Sequence, residues 1–287
     1  MNSAGMFAFI WDGYQGTLST GASQAITSGL SAVAGMMLAI GTAYILVCGF
    51  LILWGELGWT TGVRMVVRMI VVVAVLTPAR FNTYVRAVFM DWLPNWIATS
   101  ITGDTGTNAA AQQFDMLVSA TEHYTAALLM QASGLENVGT RIQINLAQTG
   151  IELTLLIAFV VWFSARALMA LVVCIGPFVI AAWLFNTTRE VFARWLGKLI
   201  GLSILLLLVS IELQIVVHQD TEYMLAAQAN AAGGLDEQVA GLLHILIAFG
   251  AGAALMIVLP AIAAVIGGGV GLSPVPSILR LGRLLAR

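Results

Sequence analysis

The chain has 287 residues, of which 60% are hydrophobic and 9% charged, with 12 Lys and Arg against 14 Asp and Glu. A soluble domain carries roughly 25% charged residues, so this composition excludes an ordinary water-soluble enzyme. It also excludes a nucleic-acid-binding protein that relies on a basic arm.

Residues 1–31 are rich in Gly, Ser, Thr and Ala and carry one charge, Asp12, with Phe7, Phe9, Trp11 and Tyr14 close by. They read as a periplasmic or interfacial segment. The first basic residue is Arg64, so the charged start of a secretory signal is missing and the first span is expected to stay in the mature protein. Residues 32–77 hold the first two expected spans. Residues 32–54 are uncharged and long enough to cross a bilayer, which takes about 20 apolar residues. Gly58 breaks that run. Residues 63–77 follow, with Arg64 and Arg68 at one end able to snorkel to the headgroups, and Pro78 closes the segment.

Residues 78–150 are too charged to lie in lipid and are expected to form a large periplasmic helical middle segment. Phe81, Tyr84, Val85, Val88, Phe89, Trp92 and Trp96 recur at three- and four-residue spacing, a stripe on one helix face. A partner-binding helix and a helix resting on the membrane interface both fit. A turn at 103–106 and a helical pattern over 109–132 complete the segment.

Residues 151–269 hold three further spans. The run 151–185 is apolar apart from Glu152 and Arg166, and as a helix it would reach about 50 Å. Residues 195–217 form a span with Lys198 at its start and Glu212 as the one charge further in. After an acidic loop containing Gly233 and Gly234, residues 239–266 form the last span, with Pro260 expected as a kink or break. Residues 270–287 are a basic tail whose Ile278, Leu279, Leu281, Leu284 and Leu285 alternate with Arg280, Arg283 and Arg287. That pattern suits a short amphipathic helix on an anionic inner leaflet. The two cysteines, Cys48 and Cys174, sit inside apolar runs without metal-ligand spacing and read as buried thiols.

Lys and Arg in short loops mark the cytoplasmic side. Arg189, Arg194 and Lys198, the arginines of the tail, and Arg64 with Arg68 are therefore assigned inside; the acidic loop 218–238 and the middle segment fall outside. This alternation makes 151–185 a single crossing with an apolar extension. The expected architecture is all-α and polytopic, with about five transmembrane helices, the N-terminus out and the C-terminus in. Arg166 and Glu212 each lie 17 residues from a boundary tryptophan, Trp183 and Trp195, so they share a depth and are expected to form an intramembrane ion pair.

No phosphate loop, catalytic triad or His and acid cluster is present. His123, His218 and His244 are scattered, so neither an enzyme activity nor a cofactor is expected. One group of motifs carries a family resemblance. Gly176-Pro177 ends an apolar stretch; Arg189-Glu190 and Arg194-Trp195-Leu196-Gly197 then open a Leu-rich span, and Pro260 with Ile266-Gly267-Gly268 comes later. This order resembles the TrbL-type polytopic inner-membrane subunit of bacterial type IV secretion and conjugation systems, the sixth subunit in the VirB naming. The resemblance implies a scaffold or channel component that forms a homo-oligomeric ring, a pentamer by analogy. Implied partners are pilin, a minor pilus-tip subunit, other inner-membrane secretion subunits, secretion ATPases, the lipid bilayer and, transiently, transferred DNA.

On this reading Gly176, Pro177, Arg189, Glu190, Trp195, Gly197 and Pro260 are candidate assembly residues. Arg189 and Glu190 are candidates for docking an ATPase or a neighbouring subunit. Phe81, Tyr84, Phe89, Trp92 and Trp96 are the candidate partner-contact stripe, and the apolar extension at 151–163 is a second surface needing cover. Gly35, Gly41, Gly250 and Gly252 would permit close helix contacts. The alternative class is a small-molecule transporter permease, which predicts paired broken spans in two related halves; the sequence holds no such repeat.

Overall fold

The computed structural model describes residues 5–56, 58–103, 109–229 and 234–267, and those residues are helical with short connections. The basic tail and residues 104–106 of the expected turn lie outside the described residues. The protein is an all-α polytopic membrane protein. Among the described residues, four helices are long and apolar enough to cross a membrane, and a bent pair makes a fifth if it counts as one broken span.

Helix α1 runs from Met6 to Leu53, 48 residues or about 72 Å. The boundary read at 31/32 falls inside it. The Ser- and Thr-rich stretch stays helical because its hydroxyls bond back to carbonyls on the preceding turn, Thr17 to Gly13, Thr20 to Gly16, Ser23 to Ser19 and Thr27 to Ser23. Gly55, at φ 77°, turns the chain, and α2 follows over Trp59–Val75. The second half of α1 pairs with α2: Gly41 lies against the Met69 methyl, and Cys48 Sγ is 3.6 Å from Met65 Sδ.

Thr77 is extended (ψ 134°), as a residue preceding proline must be, and the chain bends by 77° there. Next come α3 (Pro78–Phe81), an 11-residue π-helix (Asn82–Trp92) and α4 (Leu93–Thr102). The helical pattern read over 109–132 is α5, Ala109–Gln131.

Helix α6 spans Val138–Cys174 and α7 Gly176–Ala182, with Pro177 in the first turn of α7, where its missing N–H costs nothing. Helices α8 (Arg189–Ala229) and α9 (Leu235–Ile266) complete the bundle. Pro260 does not break α9, which runs through it to Ile266. Helices α8 and α9 are antiparallel: Gly252 packs against Val216, while Gly201 and Gly267 meet at the other end.

The first half of α1 runs parallel to α6. Phe7 stacks on Phe159 with ring centroids 4.6 Å apart, Trp11 meets Trp162 edge-on at 4.7 Å, and Gly29 faces Phe178 of α7. One expectation is corrected in part by this packing. The extension at 151–163 is covered on one face, where Ile151, Leu155, Phe159 and Trp162 are buried by the chain's own α1, α5, α8 and α9, while Leu153, Leu156 and Val160 stay exposed on the other. The aromatic residues Phe7, Trp11 and Tyr14, read as interfacial, supply much of that cover.

Candidate assembly site

The site forms where α6 ends. Gly176 is buried, and a Cβ built on it would come 2.9 Å from Phe81 and 3.1 Å from Trp195. A glycine is needed here by space, since two aromatic rings from distant segments close over its backbone. The Trp195 indole N–H donates to the Val172 carbonyl at 2.7 Å, clamping the start of α8 onto the last turn of α6. Phe192 stacks between Trp195 and Trp183 at centroid distances of 5.7 and 5.4 Å, and the Arg68 guanidinium lies 5.8 Å from the Trp183 ring centroid. Residues from two expected groups, Phe81 of the stripe and Gly176 and Trp195 of the motif, thus converge on one junction.

The stripe itself divides. A π-helix has more than four residues per turn, so positions that would share a face of an α-helix separate. Phe81 and Val85 are buried and Phe89 packs beside them, whereas Tyr84 is 67% exposed and Trp92 59%. Trp92 stacks on Trp96 of α4 with centroids 6.1 Å apart and planes 17° from parallel. The result is an outward aromatic ridge, Tyr84, Trp92 and Trp96, backed by an inward row that holds it to the bundle.

The expected Arg166–Glu212 pair does not form. Arg166 lies over the Trp11 ring, 5.2 Å from its centroid, beside Asp91 in a cavity of about 40 Å³. Arg166 also faces Leu206 and Ser210 of α8. Glu212 follows Ser210 by two residues, about 200° around the helix, so it points to the other side. There it packs against Gly252 and opens with His244 onto a groove of about 660 Å³ between α8 and α9.

Of the remaining candidates, Arg189 is exposed at the start of α8, and Glu190 pairs with Arg194 at 3.2 Å on the solvent side. An exposed pair of this kind contributes at most about 1 kcal/mol. Gly197 lies against Gly267 at the crossing of α8 and α9, and Pro260 lines a cleft beside it. Gly41 and Gly252 sit at close contacts as expected, but Gly35 and Gly250 face open space. Cys48 is buried and Cys174 half-buried, and both are free thiols. Among the described residues no three His, Cys, Asp or Glu side chains converge to hold a metal.

Sequence reasoning missed three features. Asp115, on α5 and buried, accepts the Phe7 N–H at 2.9 Å and the Ala8 N–H at 2.8 Å, capping α1 from 108 residues away. Gly201 and Gly267 let the α8 and α9 backbones touch, and the Gly197-x-x-x-Gly201 spacing was a visible signal for it. A polar chain ties α5 to α6, Thr125 donating to Gln148 at 3.0 Å and Gln148 to Glu152 at 2.9 Å. Beside it Tyr124 donates to the Gln238 carbonyl at 3.3 Å, and burial pushes the Tyr124 phenol pKa up.

This is a multi-pass helical membrane protein whose distinctive chemistry is packing: a glycine junction, an aromatic ridge and buried caps. Residues 41–259 match the model of the family described as TrbL/VirB6 plasmid conjugal transfer protein. The chain is similar to Protein VirB6 of Agrobacterium fabrum (strain C58), 31% identical over 242 residues covering 83% of this chain and 81% of that one. It is also similar to Protein VirB6 of Rhizobium radiobacter, 28% identical over 254 residues covering 87% and 85%. Type IV secretion system protein VirB6 of Bartonella quintana (strain Toulouse) is 30% identical over 158 residues, 53% of this chain and 48% of that one. The chain belongs to the TrbL/VirB6 family, whose members are type IV secretion system components.

Proposed function

We propose that the protein is an inner-membrane scaffold and channel component of a conjugative type IV secretion system, and that it catalyses no reaction. It sits in the bacterial inner membrane with its N-terminus in the periplasm and its basic turn at Arg189–Lys198 in the cytoplasm, the orientation that the placement of Lys and Arg favours. Sister copies form a ring, pentameric by analogy, that supports pilus assembly and passage of DNA or protein. It works with pilin, a minor pilus-tip subunit and secretion ATPases.

The observation that carries this reading is the outward ridge of Tyr84, Trp92 and Trp96. Large aromatic side chains held in a fixed array by a buried row behind them are a binding surface, because little entropy remains to be lost on docking. The ridge rests on the Gly176 junction, so the residues that the family motif shares and the residues that contact partners belong to one unit.

The test is genetic complementation. In a strain lacking the gene, the wild-type chain restores plasmid transfer. A variant with Tyr84, Trp92 and Trp96 all changed to Ala inserts in the membrane at normal abundance yet restores little transfer. Full transfer by that triple variant would remove the basis for the proposal.

A further inference from the structure

A cleft of about 180 Å³ opens between α6, α8 and α9. Its walls are apolar, and it exists because Gly197, Gly201, Ala263 and Ala264 are too small to fill the space next to Pro260. Those helices cannot close over it: the α8 and α9 backbones are already in contact, with a Cβ on Gly201 meeting the Ala263 carbonyl at 3.2 Å. For comparison, an apolar cavity of about 150 Å³ inside a soluble protein takes up benzene. Here the cleft belongs to helices that cross a membrane, so the apolar molecules at hand are lipid chains.

One residue on the lining is charged. Lys198 is exposed and makes no ion pair among the described residues, whereas Arg194, one turn earlier, is held by Glu190. An ammonium at the mouth of an apolar slot is complementary to a molecule with an anionic head and a hydrocarbon tail. We propose that this cleft binds an anionic phospholipid, with an acyl chain between α8 and α9 and its phosphate at Lys198. The proposal goes beyond the secretion role and does not depend on it. The chain's own tail, which follows Gly267 at the edge of the cleft, is a poorer occupant because Arg280, Arg283 and Arg287 share the sign of Lys198.

Native mass spectrometry of the full-length protein in detergent, supplied with phosphatidylglycerol or phosphatidylcholine, tests this. The wild-type chain should retain phosphatidylglycerol in preference to phosphatidylcholine. Lys198→Gln, an exposed change that leaves the fold intact, should lower phosphatidylglycerol retention about fivefold, since one basic residue near an anionic surface contributes about 1 kcal/mol. Ala264→Trp, which fills the cleft, should lower retention of both lipids. Equal retention of the two lipids, unchanged by either variant, would overturn the proposal. So would a gain of lipid binding, irrespective of headgroup, on removal of residues 268–287, which would make the tail the native occupant.

Discussion

The Asp115 carboxylate accepts the backbone N–H of Phe7 at 2.9 Å, a helix cap made across 108 residues of sequence. The same carboxylate takes the Ala8 N–H, and the site is sealed by Phe7 against Phe114 and Phe159. A negative charge at this end of α1 also meets the positive end of the helix dipole. The cap therefore fixes where the longest helix of the protein begins.

Asp115→Ala should detach the first turns of α1. Two hydrogen bonds to a charged acceptor are lost, and one buried and one half-buried N–H are stranded, which costs about 2–3 kcal/mol. Asp115→Asn keeps one acceptor oxygen and should lose less. Thermal unfolding in detergent, followed with limited proteolysis near residue 10, reads both effects.

Gly176→Ala should destabilise the junction by about 1–3 kcal/mol, the usual cost of forcing extra volume into a packed core. Its Cβ would meet Phe81 at 2.9 Å and Trp195 at 3.1 Å. Phe81→Leu in the same chain removes one of those rings and should recover part of the loss, whereas a defect unaffected by Phe81→Leu would place the strain elsewhere. Unfolding temperatures of the two single variants and the double variant supply the comparison.

Trp195→Phe deletes the 2.7 Å hydrogen bond to the Val172 carbonyl while keeping an aromatic ring. A loss of about 0.5–1.5 kcal/mol is expected. Detergent stability should fall while membrane insertion is unchanged.

Arg166 should couple to Trp11 and not to Glu212. A double-mutant cycle of Arg166→Gln with Trp11→Leu should give about 0.5–2 kcal/mol, the range of a desolvated cation over an indole. The cycle with Glu212→Gln should be additive to within about 0.5 kcal/mol. Rescue of Arg166→Glu by Glu212→Arg would restore the ion pair that the structure replaces.

The spans were legible because a hydrocarbon slab imposes length and apolarity on each crossing separately, as in α6, α8 and α9. The face of Glu212 was not legible, since two residues of helix decide which neighbour it meets. The division of the Phe81–Trp96 stripe was hidden because the π-helix at Asn82–Trp92 turns fewer degrees per residue than an α-helix, and no residue type there marks the change of winding. Nothing local marks Asp115 as a cap, because its partners lie 107 and 108 residues earlier in the chain. The Gly197 and Gly201 contact was written in the sequence at small-x-x-x-small spacing.

The central claim is that the outward ridge is a partner surface and that the row behind it is structural. Photo-crosslinking in assembled cells tests it most directly, with a benzophenone amino acid placed at Trp92 and, as a buried control, at Phe159. Trp92 should yield adducts to sister copies or to pilin that disappear when the other secretion subunits are deleted or when the ring is dissolved, and Phe159 should yield none between chains. Adducts to lipid alone from Trp92, in cells that are actively transferring DNA, would contradict the account.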